Sequence, residues 1–287
     1  APEGVTIRVV GDPTVWARGC DIAGASTTPP AGWSFLPRRG PDPMPIGVMS
    51  PDAGREVLET LAILSADVEA ASIQGIVYAP LSKQAMKLAG HAAGDELDFF
   101  VHALKPSGAT GEVNILGDVW TSRVTSHVPL RAVADLITRE NVLRSIDLLA
   151  TAIRKSGRTP RLALAALNPH AGEGGAFGRE EIDILVPTVA EAQAGGLDIA
   201  GPFPSDTVFP RAVAGGFNGV VTLFHDQGQI ALKMVGLGQG ITLLAGFSVP
   251  IATPGHGTAY DIAGKGTARV DGLAAAVRLV ATMMRAA

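Results

Sequence analysis

The sequence predicts an α/β fold with a largely parallel sheet, and three observations predict it. Short continuous apolar runs, the mark of buried parallel strands, alternate with stretches that carry apolar residues at helical spacing. Hydrophobic residues make up 47% of the chain and charged residues 17%, enough to fill a large core. Glycine is abundant at 35 residues while aromatics are only 5%, so tight loops and aliphatic packing dominate.

Taken in order, residues 5–10 read as a strand closed by the turn Gly11-Asp12-Pro13. This strand has an interior character, and a segment ahead of it is expected. Residues 27–51, rich in Pro and Gly, read as one long irregular connection. Residues 53–71 read as a helix with Val57, Leu61, Leu64 and Val68 on one face. Residues 74–79 read as a strand running into Pro80-Leu-Ser-Lys83, and 113–116 and 123–126 as two more. Residues 141–155 give the clearest helix: Leu143, Ile146, Leu149, Ala150 and Ile153 share a stripe, Thr138 is a candidate N-cap and Gly157 a stop. Strands at 162–167 and 220–224 flank a helix over 181–194, and a helix over 266–287 closes the chain.

Composition also excludes. Net charge is −4 with no Lys/Arg block, against the clustered positive charge that nucleic acid needs. Residues 234–252 are apolar but are broken by Gly236, Gly240, Gly246 and Pro250, so no membrane helix is expected there. Residues 1–10 lack the basic-then-apolar order of a leader, and Cys20 is the only cysteine. A cytoplasmic protein without an intrachain disulfide is expected, with Cys20 as a small buried hydrophobe.

The chemistry gathers at strand ends. His127, His170 and His225 each follow a short apolar run and enter a turn-rich segment. Ligands of open α/β sheets bind at the carboxyl ends of strands. Imidazole suits first-row divalent metals, and catalytic sites often use three protein ligands. The three histidines are therefore predicted to share one divalent-metal site, with the acids Glu173 and Asp226 beside them. Lys83 and Lys233 lie near strand ends, placed to hold a carboxylate or phosphate or to act as an acid of lowered pKa. The segment from Pro254 to Gly266 offers glycines for close approach, with Thr258, Tyr260 and Asp261 as polar partners for a nucleotide. No strand–GxGxxG–helix fingerprint is present, so any NAD site has another architecture.

These residues carry a family resemblance. Ser126-His127-Val-Pro-Leu-Arg131, Asn168-Pro-His170-Ala-Gly-Glu-Gly-Gly175, Gly201-Pro-Phe-Pro-Ser-Asp206, His225-Asp226-Gln-Gly228 with Lys233, and His256-Gly257-Thr258-Ala resemble the 4-hydroxythreonine-4-phosphate dehydrogenase family. The His-Gly-Thr-Ala segment, with Asp261, is also similar to the cofactor loop of isocitrate and isopropylmalate dehydrogenases. The resemblance implies two α/β lobes around a cleft, with residues 1–88 plus 262–287 in the first and 89–261 in the second. It implies a homodimer whose active site is shared between subunits. It implies a divalent metal (Zn, Mg, Mn or Co type) on His127, His170 and His225. It implies NAD at Gly240, His256, Gly257, Thr258 and Asp261, and Lys83 and Lys233 at the substrate. Asp226 or Asp206 would serve as the base or its orienter, in an alcohol oxidation followed by decarboxylation.

The chain departs from the family where the phosphate is held. The Gly-His-Thr-Glu-Phe segment is here Asp95-Glu96-Leu97-Asp98-Phe99, an expected asparagine is Thr242, and an expected arginine is Ile251. Loss of His, Thr and Arg with gain of acids makes a poor home for a dianion. The expectation is a divergent dehydrogenase for a hydroxy acid or diol, akin to the terephthalate dihydrodiol dehydrogenases. The alternatives are 4-hydroxythreonine-4-phosphate dehydrogenase proper, a metal-dependent lyase or hydrolase without the redox step, and a silent binding protein.

Overall fold

The computed structural model describes residues 2–38, 40, 45–91, 94–236 and 239–286. Strands β1 (Ile7–Gly11) and β2 (Trp33–Pro37) form a small parallel sheet, with helix α1 (Pro13–Ala23) between them. Asp12 caps α1 by accepting from the Thr14 and Val15 amides. The sequence reading of residues 27–51 as irregular missed β2. Pro- and Gly-rich flanks hide a strand of only five residues, and residues 39 and 41–44 of that stretch lie outside the described residues.

Helix α2 (Pro51–Glu69) leads to β3 (Ile76–Val77), α3 (Lys83–Leu88) and α4 (Glu96–Leu104). The antiparallel pair β4 (Gly111–Leu116) and β5 (Val119–Arg123) follows, then α5 (Val133–Leu136) and α6 (Arg139–Lys155). The rest of the chain runs β6 (Leu162–Ala165), α7 (Val186–Ala194), β7 (Ile199–Phe203), α8 (Ser205–Val213), β8 (Gly219–Thr222), α9 (His225–Gly236), β9 (Ile241–Ala245), β10 (Ile251–Pro254) and α10 (Asp271–Ala286).

Strands β3 to β10 form one sheet in the order β3-β10-β9-β4-β5-β8-β6-β7. Pairs β3–β10, β5–β8, β8–β6 and β6–β7 are parallel, while β9 and β4 insert antiparallel between them. The sheet crosses the division of lobes drawn from the sequence. β3, from residues 1–88, pairs with β10, from residues 89–261, and α10 packs on both.

Helix α6 shows how the sequence writes an element. Thr138 accepts from the Asn141 amide at the N-terminus, and Gly157 takes a left-handed φ of 79° past the end. Val142, Ile146, Leu149 and Ile153 are fully buried against β4, β5 and β8. Each such side chain contributes about 1.5–3 kcal/mol of burial. Other expectations shift by a few residues. The strand read at 123–126 lies at Val119–Arg123, and the C-terminal helix starts at Asp271 rather than 266. The helix read over 181–194 opens with a π turn at Glu181–Leu185.

The opposite face of the sheet positions the site. At one end α2 and α4 cover Ile76, Leu244 and Ile251; at the other α8 and α9 cover Ala163, Ala165 and Val220. The strip between them is polar and carries Thr242, Glu112, Asn114, Thr121 and Arg123.

Candidate active site

The three histidines follow β5, β8 and β6, which are consecutive parallel strands in the sheet. Pairing continues past the strand ends, where the Val124 amide donates to Thr222 O and the Thr125 amide to Leu223 O. This brings His127 and His225 together, with ring centroids 5.6 Å apart and ring planes tilted by 43°. His225 is the first residue of α9 rather than part of a loop, and its Nδ1 lies 2.7 Å from Asp226 Oδ1. That contact leaves Nε2 for a ligand. Burial, then the charges of Lys83, Arg123 and His225, hold His127 below its ordinary pKa, with Asp95 opposing. The neutral imidazole that results is the metal-binding form.

His170 does not join them. Among the described residues no group of three or more His, Cys, Asp or Glu side chains is arranged to hold a metal. Within one chain the rim expected from three strands therefore carries a pair of imidazoles, with the third apart. His170 packs near Phe177, in a run His170–Gly174 whose five residues all have positive φ. Three of them, His170, Ala171 and Glu173, are not glycine, so the loop is strained. Buried Glu181 pins its start: Oε1 accepts from the Leu167 and Asn168 amides at 2.8 Å, and Oε2 from Asn168 Nδ2 at 2.8 Å.

Lys83, the first residue of α3, faces the acids that the sequence marked as departures. Its Nζ lies 3.1 Å from Asp95 Oδ2 and 3.7 Å from Glu96 Oε2. Asp95 is also the N-cap of α4, in a capping box with Asp98. Burial pushes the Asp95 carboxyl up, but Lys83 and the Asp98 and Leu97 amides outweigh it and hold it below the usual value. Glu96 accepts from the Tyr78 hydroxyl at 3.5 Å. Asp95, Leu97, Glu112, Arg123, Ser126 and His127 all line one cleft of about 510 Å³.

Lys233, Gly240, His256 and Gly257 meet at a neighbouring cleft of about 290 Å³, together with Asn114 and Gln229. Lys233 thus sits with the predicted cofactor residues. Thr258 and Asp261 lie on the loop beyond and do not line this cleft. Thr242 is tied to Asn114, and Ile251 is fully buried. Asp206 is exposed near the start of α8 and makes no side-chain hydrogen bond or ion pair among the described residues. Sequence reasoning missed Asn114, Arg123 and Gln229; the available signal was polar residues inside or beside otherwise apolar strand runs.

The architecture defines a fold before it defines a family: an α/β chain with the fold seen in isocitrate dehydrogenase, with a cleft at the carboxyl ends of parallel strands. Isocitrate dehydrogenase from Methylococcus capsulatus superposes with a TM-score of 0.51 over 96% of this chain and 84% of its own, at 14% identity, a likeness of fold alone. The model of the family Pyridoxal phosphate biosynthetic protein PdxA matches residues 9–280, and the chain belongs to that family. It is similar to the crystal structure of 4-hydroxythreonine-4-phosphate dehydrogenase from Klebsiella pneumoniae, with TM-score 0.83 and 29% identity over 96% of this chain and 88% of that one. A Rhizobium meliloti (strain 1021) protein named "Putative 4-hydroxythreonine-4-phosphate dehydrogenase 2" is 45% identical over 217 residues, 75% of this chain. The match spans 62% of that relative's length.

Proposed function

We propose that the chain is a divalent-metal- and NAD-dependent dehydrogenase that oxidises a secondary alcohol of a hydroxy acid or diol, with decarboxylation where a carboxylate neighbours the new carbonyl. The His127–His225 pair carries the reading, because two imidazoles brought together beyond adjacent parallel strands, one oriented by Asp226, suit a divalent metal. A divalent metal of the Zn, Mg, Mn or Co type held there would lower the pKa of a substrate hydroxyl. NAD is the oxidant implied by the family, and Gly240, His256 and Gly257 on the smaller cleft, with Thr258 and Asp261 beyond it, are the residues to hold it. Asp226 fixes the His225 ring. Asp206 and Asp226 are the carboxylates available to take the hydroxyl proton. Lys83 and Lys233 orient the anionic end of the substrate.

We also propose a homodimer. His170 stands apart from the pair, and Leu130, Ile230 and Met234, on the segments that carry His127 and His225, are exposed apolar side chains. A second copy that covers this patch and contributes its own His170 would complete a three-imidazole set.

The relatives are named for a phosphorylated substrate, which favours a second reading in which the substrate here is phosphorylated too. The residues at the cleft favour a substrate without phosphate. Lys83 already faces two carboxylates, position 97 is Leu, and Ile251 is buried. The test is NADH formation with 4-hydroxythreonine phosphate and with non-phosphorylated hydroxy acids and cis-diols, each with and without divalent metal. Metal-dependent turnover of a non-phosphorylated compound alone is expected. Turnover confined to the phosphorylated substrate supports the second reading, and NAD binding without turnover would leave the redox assignment unsupported.

A further inference from the structure

We infer that Arg123 is the specificity-determining residue of the cleft, binding the carboxylate of a hydroxy acid from β5 in place of the arginine that the family resemblance expects at position 251. This rests on the dehydrogenase reading above. The side chain at 251 is an isoleucine with no exposure, packed with Leu244, Phe100 and Phe247. No cation reaches the cleft from β10 at that position. Arg123 supplies one from β5, three strands further along the same face.

Its surroundings are built to hold a guanidinium. The Arg123 side chain is 7% exposed and ion-paired with Glu112 on β4. Nε donates to Ser126 Oγ at 2.9 Å, next to His127, and Nη1 donates to Asn114 Oδ1 at 2.6 Å. Asn114 in turn donates from Nδ2 to Thr242 Oγ1 at 3.0 Å and accepts from Gln229 Nε2 at 2.6 Å. Asn114 and Thr242 are register partners on β4 and β9. The second departure from the family pattern, Thr242, is therefore wired to Arg123 through Asn114. Three of the five guanidinium N–H groups are engaged, leaving one on each Nη for a planar acceptor. Arg123, Glu112 and His127 line the same cleft, so an acceptor held there lies beside the His127 imidazole.

Charge selects the acceptor. Arg123 and Lys83 face Glu112, Asp95 and Glu96. The cleft itself is lined by Asp95, Asp98 and Glu112 against Arg123 and Arg144, and this excess of acids disfavours a dianion but leaves room for one planar carboxylate on a bidentate arginine. Glu112 then tunes the affinity by partly neutralising Arg123.

The competing account is a purely structural ion pair, and the two accounts predict opposite signs. Full-length protein with divalent metal is titrated calorimetrically with threonate, a four-carbon hydroxy carboxylate, and with its neutral counterpart threonamide. The wild type is expected to prefer threonate at least tenfold. Glu112→Gln, which unmasks Arg123, is expected to raise threonate affinity several-fold and leave threonamide unchanged. The double variant Glu112→Gln/Arg123→Gln replaces the buried pair by two amides, avoids an unpaired buried charge, and is expected to erase the preference. A wild type that binds both compounds equally, or neither, overturns the inference, as does a folded double variant that keeps the preference or a Glu112→Gln variant that binds threonate more weakly. NADH formation is read separately. Loss of turnover with the binding preference intact counts against the dehydrogenase reading and leaves Arg123 in its role.

Discussion

Replacing Glu181 by Gln tests whether one buried carboxylate holds the His170 loop in its left-handed form. His170, Ala171 and Glu173 each cost roughly 1–2 kcal/mol in that conformation, so the run stores about 3–6 kcal/mol of strain. Glu181, 2% exposed, answers it by accepting two backbone amides at Oε1 and the Asn168 side-chain amide at Oε2. Hydrogen bonds to a charged acceptor contribute about 1.5–3 kcal/mol against roughly 0.5–1.5 for a neutral one. Glutamine keeps one acceptor oxygen for the two amides but turns an NH₂ group toward the Asn168 NH₂. The two weakened bonds and the donor–donor conflict, less the relief of burying no charge, come to about 2–3 kcal/mol. Urea denaturation should show that loss, and hydrogen exchange should show the Leu167 and Asn168 amides losing protection. A change below about 0.5 kcal/mol with protection intact would refute the assignment of Glu181 as the anchor.

Four further outcomes are expected. Asp226→Asn should weaken divalent-metal binding by about 10–100-fold in a titration, since it removes the group that orients His225. Because His127 is held below 6.5 in the folded chain, the folded state binds fewer protons than the unfolded one between those two values. Stability should therefore fall as pH drops below 6.5 and level off under the folded value, metal affinity should decline only as pH passes below the folded value, and His127→Gln should remove this contribution to the stability profile. Leu149→Ala should cost about 2–5 kcal/mol in thermal or urea unfolding, as a fully buried side chain is cut from the α6 core. Gly54→Ala would drive a Cβ into the Ala85 carbonyl where α2 meets α3. The protein should lose about 1–3 kcal/mol, and anion binding at Lys83 should weaken with it.

The elements easiest to read were those with long periodicity or strong stops. Helix α6 declared itself through its apolar stripe, Thr138 and Gly157, and β6 and β8 through unbroken apolar runs. Short strands such as β2 and β10 gave too few positions for any period to emerge among prolines and threonines. The histidines were legible because each follows such a run, but sequence carries no distance, so the separation of His170 from the other two was hidden. Asp95 and Glu96 were legible as acids in the wrong place; their embrace of Lys83 and the capping duty of Asp95 needed coordinates. Arg123 and Asn114 were concealed for the opposite reason. They lie within ordinary strand patterns, and only the register of β4 with β5 shows that they face the same floor.

The order in which strands sit beside one another also sets when this molecule can become competent. Thr125 and Leu223, whose bond seals the neighbourhood of the imidazole pair, are 98 residues apart in the chain. Everything from α5 to β8 must be threaded and closed before His225 can meet His127. Closure of so long a loop belongs to the slow, late part of folding. A chain emerging from the ribosome would have no half-made cleft to capture metal wrongly, and metal uptake by refolding protein should trail the formation of helical signal, serving as a clock for completion of the sheet.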